Sequence, residues 1–299
     1  MQHPIDPKID CVFKALLGTE VNRNLLIHFL NAMLAGELTI PISEVDILNP
    51  YNEREFLDDK LSIVDVKARD GQGRLYQIEI QMLSYRYLPA RILYTWADLY
   101  SQQLKSGQDY ALLRPTYALW VLAEDLLTGD TDWIHDYQLR DAKGRRLLPH
   151  GGIWLLELGK FNVEQVATEQ QRWLKFFKDG ERLDEGQLPG WMNTDEMRQA
   201  MGTLQQFSEK ERQYHAYQAR QNYLREQRSI QKELEEYRQE REEYRQERER
   251  YQQDLEAERR EKEAERREKE AERREKETAL QREGAALAEI ERLKAILGQ

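Results

Sequence analysis

The sequence predicts a mixed α/β domain, with helices packed on a small sheet, followed by a long charged helix. Three observations lead there. Apolar residues recur at helical spacing up to Gly36 and then alternate with period two between residues 62 and 82. A run rich in aromatic and branched residues, "PTYALWVLAE" from Pro115, suits a central strand. After Phe207 the chain turns almost wholly to Glu, Arg, Lys and Gln, with a seven-residue repeat.

Asp6 and Pro7 read as an N-cap followed by proline at the first helical position. They open a helix on which Ile9, Phe13, Leu16 and Leu17 share a face up to Gly18. A second helix turns Leu25, Leu26, Phe29, Leu30, Met33 and Leu34 inward. "SIVDVKARDGQGRLYQIEIQM", residues 62–82, is a hairpin about an Asp-Gly-Gln-Gly turn. Arg91 to Leu104 reads as an amphipathic helix with Ile92, Leu93, Trp96, Leu99 and Tyr100 on its core side. "WIHDYQL" and "GGIWLLEL" read as a further pair of strands, and "RWLKFF" and "DEMRQAMGTLQQF" as helices that finish the core. The expected organisation is a domain over 1–207, a long charged helix over 208–283 and a short amphipathic terminal helix over 284–299.

Composition narrows the setting. From Ser208 to Gln299 there are 25 acidic and 23 basic residues, so the front part carries −8 of the total −10. An acidic front part argues against non-specific nucleic-acid binding, which rests on neutralising phosphates, though a local basic rim suffices for a specific site. Lys143, Arg145 and Arg146 form a small basic turn, read mainly as an exposed hairpin tip. Cys11 is the only cysteine, which excludes an internal disulfide and a cysteine zinc site. The five histidines show no ligand spacing, and no glycine-rich phosphate loop is present. "MQHPIDPKID" lacks the basic start and apolar run of a signal peptide, and no stretch suits a membrane span. A soluble, cytoplasmic protein that makes no membrane contact is expected.

The hairpin poses the chemical question. Period-two alternation places Val64, Val66, Tyr76, Ile78, Ile80 and Met82 on one face, and Asp65, Lys67, Gln77, Glu79 and Gln81 on the other. Simple solvation of the polar face is the plain reading. Yet an antiparallel register in which residue numbers sum to 144 puts Asp65 opposite Glu79, and like charges so placed are destabilising. A divalent cation would offset the repulsion, since two carboxylates, a backbone carbonyl and waters are the hard oxygen ligands that Mg²⁺ takes.

Asp65 followed fourteen residues later by Glu79-Ile80-Gln81 resembles the active-site hairpin of the PD-(D/E)XK nuclease superfamily. "DCVFKALLG", "DDKLSIVDV", "IEIQ", "ARILYTWADLYSQQLKSGQDYALLRPTYALWVL" and "WLKFF", in that order, resemble the recombination-promoting nuclease and transposase family over residues 4 to about 228. The resemblance implies a restriction-endonuclease-like core, a small mixed sheet flanked by helices, and a Mg²⁺-dependent (or Mn²⁺-dependent) endonuclease acting on DNA. It implies Asp65 and Glu79 as metal ligands with the Ile80 carbonyl, and Gln81 where the superfamily has lysine, as members of this family commonly do. Gln81 can position a water but cannot serve as its base, so Lys67 is the nearest candidate for the missing charge. Asp10 and Lys14, at i and i+4, are either accessory site residues or a surface pair. Asp58, Asp59 and Lys60 stand just before the first strand as further accessory candidates or a charged loop. The alternative is an inactive nuclease fold that serves as a DNA-binding or protein-binding platform.

In the tail "EYRQERE" occurs twice and "AERREKE" three times. Beyond Leu255 only one alanine per heptad is apolar, too little for a coiled-coil seam. Glu-first i,i+4 pairs such as Glu258 with Lys262 and Glu265 with Lys269 favour a solvated single helix instead. Between Tyr223 and Leu255 the seam Tyr223, Ile230, Leu234, Tyr237, Tyr244, Tyr251 and Leu255 is stronger, and a homodimer could form through it. Ala286, Ile290, Leu293 and Leu297 make a short apolar face after Gly284.

Overall fold

The computed structural model describes residues 3–49 and 65–298. The chain forms two compact units, residues 1–228 and 229–299. Asp58, Asp59, Lys60 and Val64 lie outside the described residues.

The first unit is a six-stranded mixed sheet between two helical layers. Its helices are α1 (Asp10–Leu17), α2 (Arg23–Met33), α3 (Leu88–Ser101), α4 (Glu169–Asp179), α5 (Asp195–Glu209) and the first part of α6 (Glu211–Leu297); its strands are β1 (Val45–Leu48), β2 (Val66–Asp70), β3 (Leu75–Gln81), β4 (Thr116–Leu122), β5 (Ile134–Tyr137) and β6 (Gly151–Glu157). The strand order is β1-β2-β3-β4-β6-β5. β3, β4 and β6 run parallel at the centre, and antiparallel strands flank them on both sides. β4 is buried along its whole length, as its uninterrupted apolar run requires.

Alternation divides the sheet into two faces. On one, Val66, Ala68, Tyr76, Ile78, Ile80, Leu119, Val121 and Leu156 join the main core with buried side chains of α1, α2, α4 and α5. On the other, Ala118, Trp120, Leu122, Ile153 and Leu155 pack against Leu88 and Ile92 of α3, with Trp96 half-buried beside them. The register places Gln77 beside Ala118, Glu79 beside Trp120 and Gln81 beside Leu122. The polar hairpin face therefore lies on the α3 side of the sheet, and solvation does not describe it: Gln77 is 0% and Glu79 3% exposed.

Several sequence expectations shift. α1 begins at Asp10 with Ile9 as its N-cap. Asp6 does not cap it, because its Oδ1 accepts the Lys8 N–H in a local turn. α3 starts three residues earlier than its apolar period suggests and buries Leu88, Ile92, Thr95 and Leu99. Leu93 lies off this buried stripe and faces outward, 57% exposed. β1 is not foreseen from the sequence: with four residues and one charged side chain it offers little pattern, and it forms by pairing with β2. Arg140 bridges Arg146 across the basic turn, and Lys143 and Arg145 are exposed at its tip.

The start of α6 belongs to the first unit, so that unit extends past Phe207. Tyr217 is 2% exposed and its hydroxyl accepts the Asp6 N–H at 3.0 Å. Tyr214 stacks on His3 at 4.2 Å. In the second unit the helix is unbroken through Gly284 to Leu297, so no separate terminal helix begins at 284. Over this span it extends about 100 Å at 1.5 Å per residue. Four expected Glu-first pairs are present: Glu256 with Arg260, Glu258 with Lys262, Glu265 with Lys269 and Glu272 with Lys276. Glu270 pairs back to Arg266 and Glu277 to Arg273. Ile230, Leu234, Tyr237, Tyr244, Tyr251 and Leu255 are all exposed.

Candidate active site

The β2–β3 hairpin owes its geometry to a buried polar knot at its turn. Asp70 accepts hydrogen bonds from the backbone N–H of Gln72 and of Arg74, from Arg74 Nε at 2.5 Å and from the Tyr76 hydroxyl at 2.8 Å. Gly73, at φ +80°, supplies the left-handed position that the turn needs. With the turn fixed, Val66 pairs with Ile78 and Lys67 with Gln77, the register expected from the sequence.

Asp65 lies one residue before the first ladder pair. Its Oδ2 accepts the Ile80 N–H at 2.9 Å and its Oδ1 lies 3.2 Å from Lys14 Nζ. α1 holds Lys14 there because it ends tightly on β2: a Cβ on Gly18 would fall 2.8 Å from the Lys14 carbonyl oxygen and 3.2 Å from Val66 Cγ2. Glu79, one residue before Ile80, points to the α3 face. Gln77 Nε2 donates to Glu79 Oε1 at 3.2 Å, and Arg91 Nη2 lies 3.9 Å from Glu79 Oε2.

These surroundings disfavour two charged carboxylates side by side. Burial, with the Asp65 charge in support, pushes Glu79 up to about 8 against the pull of Arg91 and the Gln77 amide. Asp65 is also raised by burial, with a contribution from Asp10, while the Ile80 N–H and Lys14 act in the opposite direction. A divalent cation relieves this repulsion directly, so the donor set fits one. Among the described residues no group of three or more His, Cys, Asp and Glu could hold a metal. Two carboxylates suit Mg²⁺, which keeps several waters, better than a metal that needs a closed protein cage.

Other candidates divide. Asp10 and Lys14 do not pair with each other: Lys14 turns to Asp65, and Asp10 Oδ1 lies 3.0 Å from Arg220 Nε of α6. That second pair falls short of hydrogen-bond geometry, and both atoms are buried without a hydrogen-bond partner. Lys67 stands opposite Gln77 on the acid-bearing face. Gln81 is engaged at both ends of its amide, with Nε2 donating to the Leu83 carbonyl at 2.8 Å and Oε1 accepting from Arg91 Nη1 at 3.3 Å. Asp59 and Lys60 are outside the described residues.

The sequence does not single out Arg91, which reads there only as a helix start. The signal available is its position as the only basic residue of α3, close behind the hairpin. An apolar groove of about 270 Å³ lies elsewhere, between α3 and the β5–β6 hairpin, lined by Trp96, Tyr100, Tyr137, Leu147 and His150 among others. Neither Asp65 nor Glu79 lines it.

A sequence profile of the PD-(D/E)XK nuclease family transposases matches residues 7–234. The chain belongs to this family. The match covers the sheet, the site positions from Asp10 to Gln81, and the start of α6. No curated protein and no solved structure matches the chain. Membership agrees with the observed fold, a mixed sheet flanked by helices. Among the described residues, no helix is long and apolar enough to cross a membrane.

Proposed function

We propose that this PD-(D/E)XK family member is a metal-dependent DNA endonuclease, associated through its family with recombination or mobile elements. The observation that carries the reading is the pair of carboxylates, buried Glu79 and half-buried Asp65, brought to one end of the sheet against their mutual repulsion. A structural hairpin gains nothing from that arrangement, whereas a cation site requires it.

In this reading Asp65, Glu79 and the Ile80 carbonyl hold Mg²⁺ or Mn²⁺. The Ile80 N–H meets Asp65, and in extended backbone the C=O of a residue points to the same edge as its N–H. The Gln81 carbonyl faces the opposite edge and accepts the Ala123 N–H. When bound, the metal lowers the pKa of a water and offsets charge on the scissile phosphate. The water oxygen bonds to phosphorus while a bridging P–O bond breaks, leaving a phosphate end and a hydroxyl end. Lys14 orients Asp65, Gln77 orients Glu79, Gln81 acts as a positioning group, and Asp10 and Lys67 shape the local charge. DNA is the partner, and the Tyr-rich seam of the tail joins two copies of the chain.

Purified protein would be incubated with supercoiled plasmid in EDTA, Mg²⁺ and Mn²⁺, beside Asp65→Ala and Glu79→Ala. Metal-dependent nicking that both substitutions abolish is the expected result. Cutting that survives both assigns the activity elsewhere.

A further inference from the structure

Resting on the nuclease reading, we infer that Arg91 is the cation that engages the scissile phosphate, in the place where Gln81 has no charge to offer. Arg91 sits in the first turn of α3, the helix laid over the acid-bearing face. Its guanidinium is bracketed on several sides. Nη1 donates to Gln81 Oε1 at 3.3 Å and stands 3.5 Å from the Tyr85 hydroxyl. The group lies over the Trp120 ring, 5.4 Å from its centroid. Stacking and hydrogen bonding of this kind fix the plane of a guanidinium, and a fixed planar fork matches two oxygens of one phosphate.

The spacing to the acids supports the same role. Arg91 Nη2 remains 3.9 Å from Glu79 Oε2, beyond hydrogen-bond length, while the side chain keeps 41% exposure. It is thus at the rim of the carboxylate pair, partly open to a ligand. A divalent ion on Asp65 and Glu79 would outcompete a cation at that distance for the Glu79 charge and leave the guanidinium field to the phosphate. Gln81 then acts through the arginine, holding it in place with one end of its amide on the Leu83 carbonyl and the other on Arg91. Lys67 is the competing source of charge, opposite Gln77 and two residues back along the ladder from Glu79.

The test uses the full chain and its Arg91→Lys, Arg91→Gln and Lys67→Gln variants. Single-turnover cutting of a short labelled duplex is measured in saturating Mg²⁺, and Mn²⁺ binding to the DNA-free protein by electron paramagnetic resonance. Removing a preorganised donor to a developing oxyanion slows chemistry by about 10²–10³-fold. Arg91→Gln should show that loss with Mn²⁺ affinity unchanged or tighter, and Arg91→Lys should recover part of the rate as a point charge. Arg91→Gln cutting within about threefold of wild type would overturn the assignment, as would loss of Mn²⁺ binding in step with activity in both Arg91 variants, which marks a structural role. The large loss falling on Lys67→Gln alone would transfer the role to Lys67. A wild type that cuts no substrate in any metal removes the nuclease reading itself, an outcome distinct from an active wild type with an indifferent Arg91.

Discussion

Replacing Glu79 by glutamine should stabilise the metal-free protein. In the folded chain this carboxyl is pushed from 4.5 up to about 8, first by burial and then by Asp65. Between those values the folded state binds a proton that the unfolded state has released. Stability therefore falls as pH rises through this window, since its slope follows the protons bound unfolded minus those bound folded. At about 1.4 kcal/mol per pH unit the ceiling is on the order of 5 kcal/mol, and a shift of Arg91 toward the ionised group would bring it down to a few. The amide keeps the acceptor that Gln77 Nε2 uses and adds N–H donors near Gln77 Oε1, which is buried without a partner. The assay is urea unfolding in EDTA at pH 5, 6.5 and 8, with wild type and Glu79→Gln side by side. The wild type should lose stability steadily across the series and the variant much less, so that the variant is the more stable by a few kcal/mol at pH 8. A wild type with flat stability from pH 5 to 8, or a variant weaker than wild type at pH 8, would refute the reasoning. Adding Mg²⁺ should reverse the order, because only the wild type has both charges for it.

Asp70→Ala removes the acceptor of four donors and leaves Arg74, 7% exposed, as an uncompensated buried charge. It should cost about 3–5 kcal/mol by chemical denaturation. Tyr217→Ala should cost a comparable ~3–5 kcal/mol in the cooperative unfolding of the first unit, although the residue lies beyond Phe207; a change below about 1 kcal/mol would place the start of α6 outside that unit. Serine at Tyr237, Tyr244 and Tyr251 together should abolish self-association in sedimentation equilibrium, and a wild type that stays monomeric at tens of micromolar would dispose of pairing through this seam.

The sequence made the sheet centre and the hairpin register legible because both depend on local alternation. Val66 opposite Ile78 follows from the Asp-Gly-Gln-Gly turn, and β4 from an unbroken apolar run. What α3 does was not legible. Its apolar residues nearly encircle it, so the period set Leu93 beside Ile92 on the core side, and the decision between them rests on how the helix meets Trp120 and Ile153. The same uncertainty hid the site's environment. Asp65 and Glu79 could be paired from the sequence and Lys14 named as an accessory candidate, but Arg91 could not, since it comes from α3 and no residue spacing connects it with Glu79 or Gln81. A boundary is expected at Gly284 from the sequence, yet the ~1 kcal/mol by which glycine weakens a helix does not break this one, and it runs through to Leu297.

The three identical "AERREKE" units of the tail have one further consequence. Each adds about 10.5 Å to a helix and returns the following residue to within ~20° of its former direction. Gaining or losing a unit would alter reach in fixed steps while preserving the i,i+4 Glu-to-Lys pair of each unit that remains and the facing of Leu287, Ile290 and Leu293 beyond it. The tail is thus a graduated measure: evolution can change its length by whole divisions without redesigning either end, whereas a deletion of two or three residues would swing that terminal face around the helix.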